Sequence, residues 1–161
     1  MQQSTLRRTL VAVVSSAGLA LAMLYEGVRT TAYLDEVGVW TVCYGHTKGV
    51  KKGDSYTKAQ CELLLKQDMA WAEDVVRRSV KVPIGQNQFD ALAVFVFNVG
   101  EPSFKSSTLL RKVNAQDCWG AATEFARWSN LRDAKTGKLR PSAGLLNRRN
   151  AEMKLFTKDC K

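Results

Sequence analysis

Glu26, Asp35 and Thr41 are separated by eight and five residues and follow directly on an uncharged apolar run. A carboxylic acid able to donate a proton, a second carboxylate that stays ionised and a hydroxyl able to hold a water make up the set needed to hydrolyse a glycosidic bond. Taken singly, each has a plainer role. Glu26 reads as an exposed helix end, Asp35 as a turn former beside Gly38, and Thr41 as a strand residue.

These side chains need elements to carry them. From Tyr33 to Tyr44 the β-branched and aromatic residues Val37, Val39, Trp40, Thr41 and Val42, with Gly38 and Gly45 between, predict a short hairpin or meander. Glu26 would close an N-terminal helix capped by Gly27. Thr57 and Gln60 have capping-box spacing and open a helix through Leu63, Leu64, Met69 and Val76, with Pro83 ending that region. The segment "QFDALAVFVFNVG" is apolar nearly all round, as expected of a helix surrounded by others. Shorter helices are expected over Thr108 to Val113, Cys118 to Trp128 and Ser142 to Leu155. The fold class is therefore α+β: a small β lobe carrying Asp35 and Thr41, a larger helical lobe, an inter-lobe cleft suited to an extended glycan, and an N-terminal apolar helix.

The chain has 161 residues, 45 % apolar and 24 % charged, which fits one folded domain and excludes a disordered one. Its net charge of +9 is concentrated: residues 105 to 161 hold 13 Lys/Arg against 5 Asp/Glu. Such a surface suits an anionic partner, either nucleic acid phosphates or an acidic polymer such as the bacterial wall. The sequence carries no helix-turn-helix, zinc-finger or RNA-stacking motif, so nucleic acid is not expected as a partner.

Arg7 and Arg8 precede 17 uncharged residues, Thr9 to Tyr25. As a helix these would measure roughly 25 Å at about 1.5 Å per residue, against a hydrocarbon core of about 30 Å. A cleaved signal peptide, a permanent anchor and an apolar helix of the folded domain all fit. The triplet Ala20-Leu21-Ala22 looks like a cleavage site. Cutting there would leave Glu26 without the helix that should hold it.

Cys43, Cys61, Cys118 and Cys160 all follow this segment, and an even number in an exported protein suggests two disulfides. The expected pairs are Cys43 with Cys61 and Cys118 with Cys160; four buried thiols are the alternative. With one His, His46, no metal site is expected, and no cofactor is implied.

The text "YEGVRTTAYLDEVGVWTVCYGHT" resembles the catalytic segment of the phage-type lysozymes, glycoside hydrolase family 24, whose E-x8-D-x5-T pattern carries the chemistry. "QFDALAVFVFNVG", "FKSSTLLRKVN", "AATEFARWSN" and "GLLNRRNAEMKLF" extend the likeness in the same order, over about residues 25 to 156. The resemblance implies a lysozyme-like fold and a muramidase, expected as a monomer; a lytic transglycosylase acting on the same bond and a noncatalytic membrane-tethered wall-binding module are the alternatives. The muramidase would cleave the β-1,4 bond between N-acetylmuramic acid and N-acetylglucosamine in peptidoglycan and so lyse the host. It further implies Glu26 as general acid in an apolar, partly closed setting, Asp35 as the ionised stabiliser, Thr41 as holder of the attacking water, and inversion at the anomeric carbon.

Asn98, Ser107 and Thr108 would line the glycan groove. Arg148 or Arg149, at helical spacing to Glu152, would reach into the cleft, pair with Glu152 or steady Glu26. His46 accompanies the site as structural support. Trp40, Trp119 and Trp128 could stack on sugars, with at least two of them expected in the core.

The N-terminus is similar to that of the signal-anchor-release endolysins. There an uncleaved segment directs export, contacts the inner membrane transiently, here through residues 9–25, and then escapes to the periplasm. This divides the chain into residues 1–24, the signal-anchor segment, and 25–161, the catalytic domain. Some relatives activate through a Cys in the anchor; this anchor has none, so control by topology is expected.

Overall fold

The computed structural model describes residues 12–161. Arg7, Arg8 and residues 9–11 of the expected membrane segment lie outside the described residues. The chain order is α1 (Ser16–Glu26), β1 (Arg29–Leu34), β2 (Trp40–Cys43), α2 (Lys58–Ser79), α3 (Gln86–Val99), α4 (Glu101–Lys105), α5 (Thr108–Asn114), α6 (Cys118–Glu124), β3 (Asn130–Arg132), β4 (Leu139–Pro141) and α7 (Ala143–Phe156).

The β lobe is the antiparallel pair β1–β2, in register Tyr33↔Thr41 and Leu34↔Trp40, so the hairpin starts four residues earlier than its aromatic content suggests. Gly38, at φ +81°, permits the turn and donates its N–H to the Asp35 carbonyl. Thr57 and Gln60 cap α2 reciprocally, Gln60 N–H on Thr57 Oγ1 at 3.2 Å and Thr57 N–H on Gln60 Oε1 at 2.8 Å. The helix stops at Ser79, short of Pro83. The Asn114 side chain accepts from Lys81 N–H and donates to the Ser79 carbonyl, giving groups at the helix end the partners they lose there.

Helix α3 is buried without interruption from Gln88 to Val96, as its sequence predicts. It is the axis of the helical core, with Phe95 edge-on to Phe104, Phe125 and Trp128. A second core joins β2 and α2 through Val42, Cys43, Cys61, Leu65 and Met69, and α1 contributes Leu19 and Ala22 to it. Leu21 of α1 packs against both cores, so α1 is a wedge between the lobes. Both expected disulfides are present, Cys43–Cys61 and Cys118–Cys160.

Several details differ from the sequence reading. The helix expected over Cys118 to Trp128 stops at Glu124 and tightens into a 3₁₀ turn, Phe125–Trp128. The hairpin β3–β4 and the short α4 were not expected. The strands of β3–β4 are three residues long and exposed throughout, so no buried face imposes an alternating pattern. Its turn is closed instead by Asp133 Oδ1, which accepts from Lys135 N–H, Thr136 N–H and Thr136 Oγ1. The tryptophans are also less buried than expected: Trp40 and Trp128 are half-buried, and Trp119 is 58 % exposed. Among the described residues no helix is long and apolar enough to cross a membrane.

Candidate active site

Helix α1 ends where the sequence places the acid. Gly27, at φ +67°, turns the chain and returns its N–H to the Met23 carbonyl at 3.3 Å. Glu26 is thereby left at the helix end, its side chain 23 % exposed. Its carboxylate Oε1 accepts from Arg148 Nη2 at 2.6 Å, a charge-assisted bond between residues 122 positions apart. The sequence expects an apolar setting for Glu26; the structure provides a guanidinium instead. The ring of Tyr25 lies 5.9 Å from the same guanidinium, and its hydroxyl donates to the Asn147 carbonyl, fixing the end of α1 against α7.

Arg148 is held in turn. Its Nε donates to Glu152 Oε1 at 3.3 Å, and Arg149 Nη2 donates to that same oxygen at 2.8 Å and to Asn98 Oδ1 at 2.9 Å. Arg149 and Glu152 are fully buried. Burial pushes the Glu152 carboxyl up to about 7 against the opposing pull of Arg149 and Arg148. Burial likewise lowers the Arg149 guanidinium. Arg149 also stands 5.0 Å from the Phe95 ring centre. A chain of polar contacts therefore runs from Glu26 through Arg148, Glu152 and Arg149 to Asn98.

Asp35 and Thr41 are brought together by the β1–β2 turn, with Val39 as the link. Asp35 Oδ1 accepts from Val37 N–H at 3.0 Å and Val39 N–H at 2.8 Å, leaving Oδ2 without a partner among the described residues. The Val39 carbonyl receives both the Asp35 N–H and the Thr41 hydroxyl, each at 3.0 Å. Thr41 is 4 % exposed, its one proton spent on Val39 and its acceptor lone pairs left over.

A cavity of about 720 Å³ is lined by Asn98, Thr108, Trp128, Asn130, Arg132 and Arg149, among others. Its wall is drawn from residues 98–149, so the helical lobe and the β3–β4 hairpin supply it and the β lobe does not. Asn98, Ser107 and Thr108, the residues that the resemblance places at the glycan groove, line this cavity. Arg148 does not: it is 4 % exposed and committed to Glu26 and Glu152, and Arg149 takes the place at the wall. The Ser107 hydroxyl is committed too, accepting from Leu110 N–H as the N-cap of α5 and donating to the Phe104 carbonyl. A serine one residue before a helical run is an N-cap signature that could have given that role. Trp128, named from sequence as a possible sugar-stacking residue, lines this cavity, whereas Asn130 and Arg132 were not foreseen there and nothing local in the sequence marks them.

His46 lies outside this cavity. Its Nδ1 is 2.8 Å from Asp68 Oδ2 and its Nε2 is 3.0 Å from the Lys48 carbonyl, so both ring nitrogens are engaged in bracing the β lobe against α2. Among the described residues no cluster of three His, Cys, Asp or Glu side chains could hold a metal ion.

The chain matches the family model described as phage lysozyme over residues 23–152. It is 43 % identical over 143 residues to an endolysin of Acyrthosiphon pisum secondary endosymbiont phage 1, covering 89 % of this chain and 97 % of that one. It is 36 % identical over 162 residues to a SAR-endolysin of Enterobacteria phage P21, with 94 % of each covered. Among solved structures, the muramidase domain of SpmX from Asticaccaulis excentricus superposes with a TM-score of 0.83 at 35 % identity, covering 89 % of this chain and 96 % of that one. With the family model matching residues 23–152 and these relatives covering nearly its whole length, the chain belongs to the phage lysozyme family.

Proposed function

We infer that this chain is an endolysin of the muramidase type, which hydrolyses the β-1,4 bond between N-acetylmuramic acid and N-acetylglucosamine and lyses the host wall. Family membership and the endolysin relatives support the activity. The observation that carries the assignment of residues is the placement of Glu26 at a helix end on Arg148, with Asp35 and Thr41 joined through Val39.

Glu26, oriented through Oε1, gives its proton to the glycosidic oxygen as the bond to the anomeric carbon breaks. Asp35 remains ionised, faces the positive charge that develops on the sugar ring and helps orient the attacking water. Thr41 offers its free lone pairs to that water. Water then supplies the new hydroxyl, with inversion, and releases its other proton to solvent, from which Glu26 is reprotonated for the next turnover. Asn98 and Thr108 would bind the glycan at the cavity wall, with the buried Arg149 behind them holding Asn98 Oδ1 in place.

Residues 1–24 would serve as the signal-anchor segment and residues 25–161 as a monomeric catalytic domain. The SAR-endolysin of phage P21, similar over 94 % of both chains, supports that division. The protein would contact the inner membrane transiently through residues 9–25 and act in the periplasm.

Two measurements test this reading. Glu26→Gln keeps the shape and removes the proton, and is expected to cut lytic kcat by about 10²–10⁴-fold; unchanged lysis would overturn the assignment. Mass spectrometry of released muropeptides should show reducing ends, whereas anhydro ends would indicate a transglycosylase.

A further inference from the structure

Residues 12–15, the last before α1, carry no helical structure, although they belong to the uncharged run of the expected membrane segment. Each is nonetheless bonded, and almost entirely through its backbone. Arg77 Nη1 donates to the Ala12 carbonyl at 2.6 Å, and Gln86 Nε2 to the Val13 carbonyl at 2.9 Å. Val14 N–H donates to Glu73 Oε1 at 2.9 Å, and Ser15 N–H to Asp90 Oδ1 at 3.0 Å, with the Ser15 hydroxyl on Asp90 Oδ2. The four receiving side chains come from α2 and α3.

Asp90 is fully buried near the start of α3, next to Phe89 and ahead of the apolar run Ala91 to Val96, and Glu73 is 9 % exposed. Burying charge there is unfavourable without partners. Gln86 Nε2, at 2.8 Å, and Ser15 supply them for Asp90. Both carboxylates also lie at the start of α1, where the helix dipole favours negative charge and where Ser15 makes no side-chain cap of its own. Gly18 completes the fit: a Cβ there would stand 2.8 Å from Asp90 Cβ, closer than atoms pack.

We propose that Arg77, Glu73, Gln86 and Asp90 form a receptor for residues 12–15 of the same chain, capturing the segment in an unwound form that cannot re-enter the bilayer and thereby fixing α1 and Glu26. This rests on the reading of residues 9–25 as a transient membrane segment. In lipid, the backbone of Ala12 to Ser15 has to satisfy itself within a helix. Here four side chains replace those intrahelical bonds. The helix that remains, Ser16–Glu26, is 11 residues long, about 16 Å at about 1.5 Å per residue, against a hydrocarbon core of about 30 Å. Because the receptor binds main chain, Ala12, Val13 and Val14 are free to keep side chains that suit the membrane. Only Ser15 and Gly18 are read by side chain, and both are found in the run.

The test uses the full chain with Asp90→Ala, Asp90→Asn and Gly18→Leu, and three readouts. Hydrogen exchange of the soluble form should show Val14 and Ser15 amides losing at least tenfold protection in Asp90→Ala, with α3 and α7 amides unchanged. Lytic kcat should fall on the order of tenfold to a hundredfold at near-constant KM, since α1 carries the acid. Asp90→Asn, which keeps an acceptor oxygen, should restore both. After collapse of the membrane potential, Asp90→Ala and Gly18→Leu should leave a several-fold larger fraction in the inner membrane. Wild-type protection and kcat in Asp90→Ala would overturn the receptor. A wild-type chain that never fractionates with the membrane would overturn the anchor reading and its capture step, while exchange and kcat would still decide whether the receptor positions Glu26.

Discussion

At the scale of single residues, the Glu26–Arg148–Glu152–Arg149 chain has two consequences. Removing Arg148 leaves a buried Glu152 with one guanidinium instead of two, so Arg148→Ala should cost about 3 kcal/mol of stability in urea unfolding, along with its loss of activity. The raised Glu152 carboxyl makes the native state bind more protons than the unfolded chain between the ordinary value of 4.5 and about 7. Its contribution to stability is therefore present below that window and is lost as pH rises through it, and Glu152→Gln should flatten that part of the stability–pH curve. Arg148, Arg149 and Glu152 were legible together because helical spacing put them on one face. Which arginine faces Glu26 and which faces the cavity was not, because α7 meets α1 across 122 residues of chain. Family resemblance puts Ser107 at the glycan groove, and the structure shows its hydroxyl also capping α5. Ser107→Ala should cost about 1 kcal/mol by loss of the cap.

Elements with strong local signals were legible, and those fixed only by their surroundings were not. Thr57 and Gln60 announce α2 in four residues, and the apolar run of α3 announces its burial. The C-terminal end of α2 depends on Asn114, 33 residues from Lys81, a partner invisible to any local pattern. The hairpin β3–β4 lacks alternation because neither face is covered, yet it supplies Asn130 and Arg132 to the cavity. The two disulfides bridge separations of 18 and 42 residues. Chain-entropy scaling gives about 3 and about 4 kcal/mol respectively, so replacing the Cys118–Cys160 pair with Ala should lower Tm more than replacing Cys43–Cys61, as read by calorimetry.

Across the whole molecule, charge and topology act together. If the basic final third draws the chain to a polyanionic wall by long-range attraction, KM for wall fragments should rise several-fold as ionic strength passes about 0.1 M while kcat stays level. Composition made that asymmetry plain at the outset. The seat of the N-terminal run was not legible, because Leu19, Leu21 and Ala22 suit lipid and a protein core equally well. Leu19 and Ala22 share a core cluster with the Cys43–Cys61 bond, whose residues are 3 % and 0 % exposed. Buried sulfurs are closed to thiol exchange, so this bond should form before the cluster closes over it and should resist thiol reductants in the folded chain.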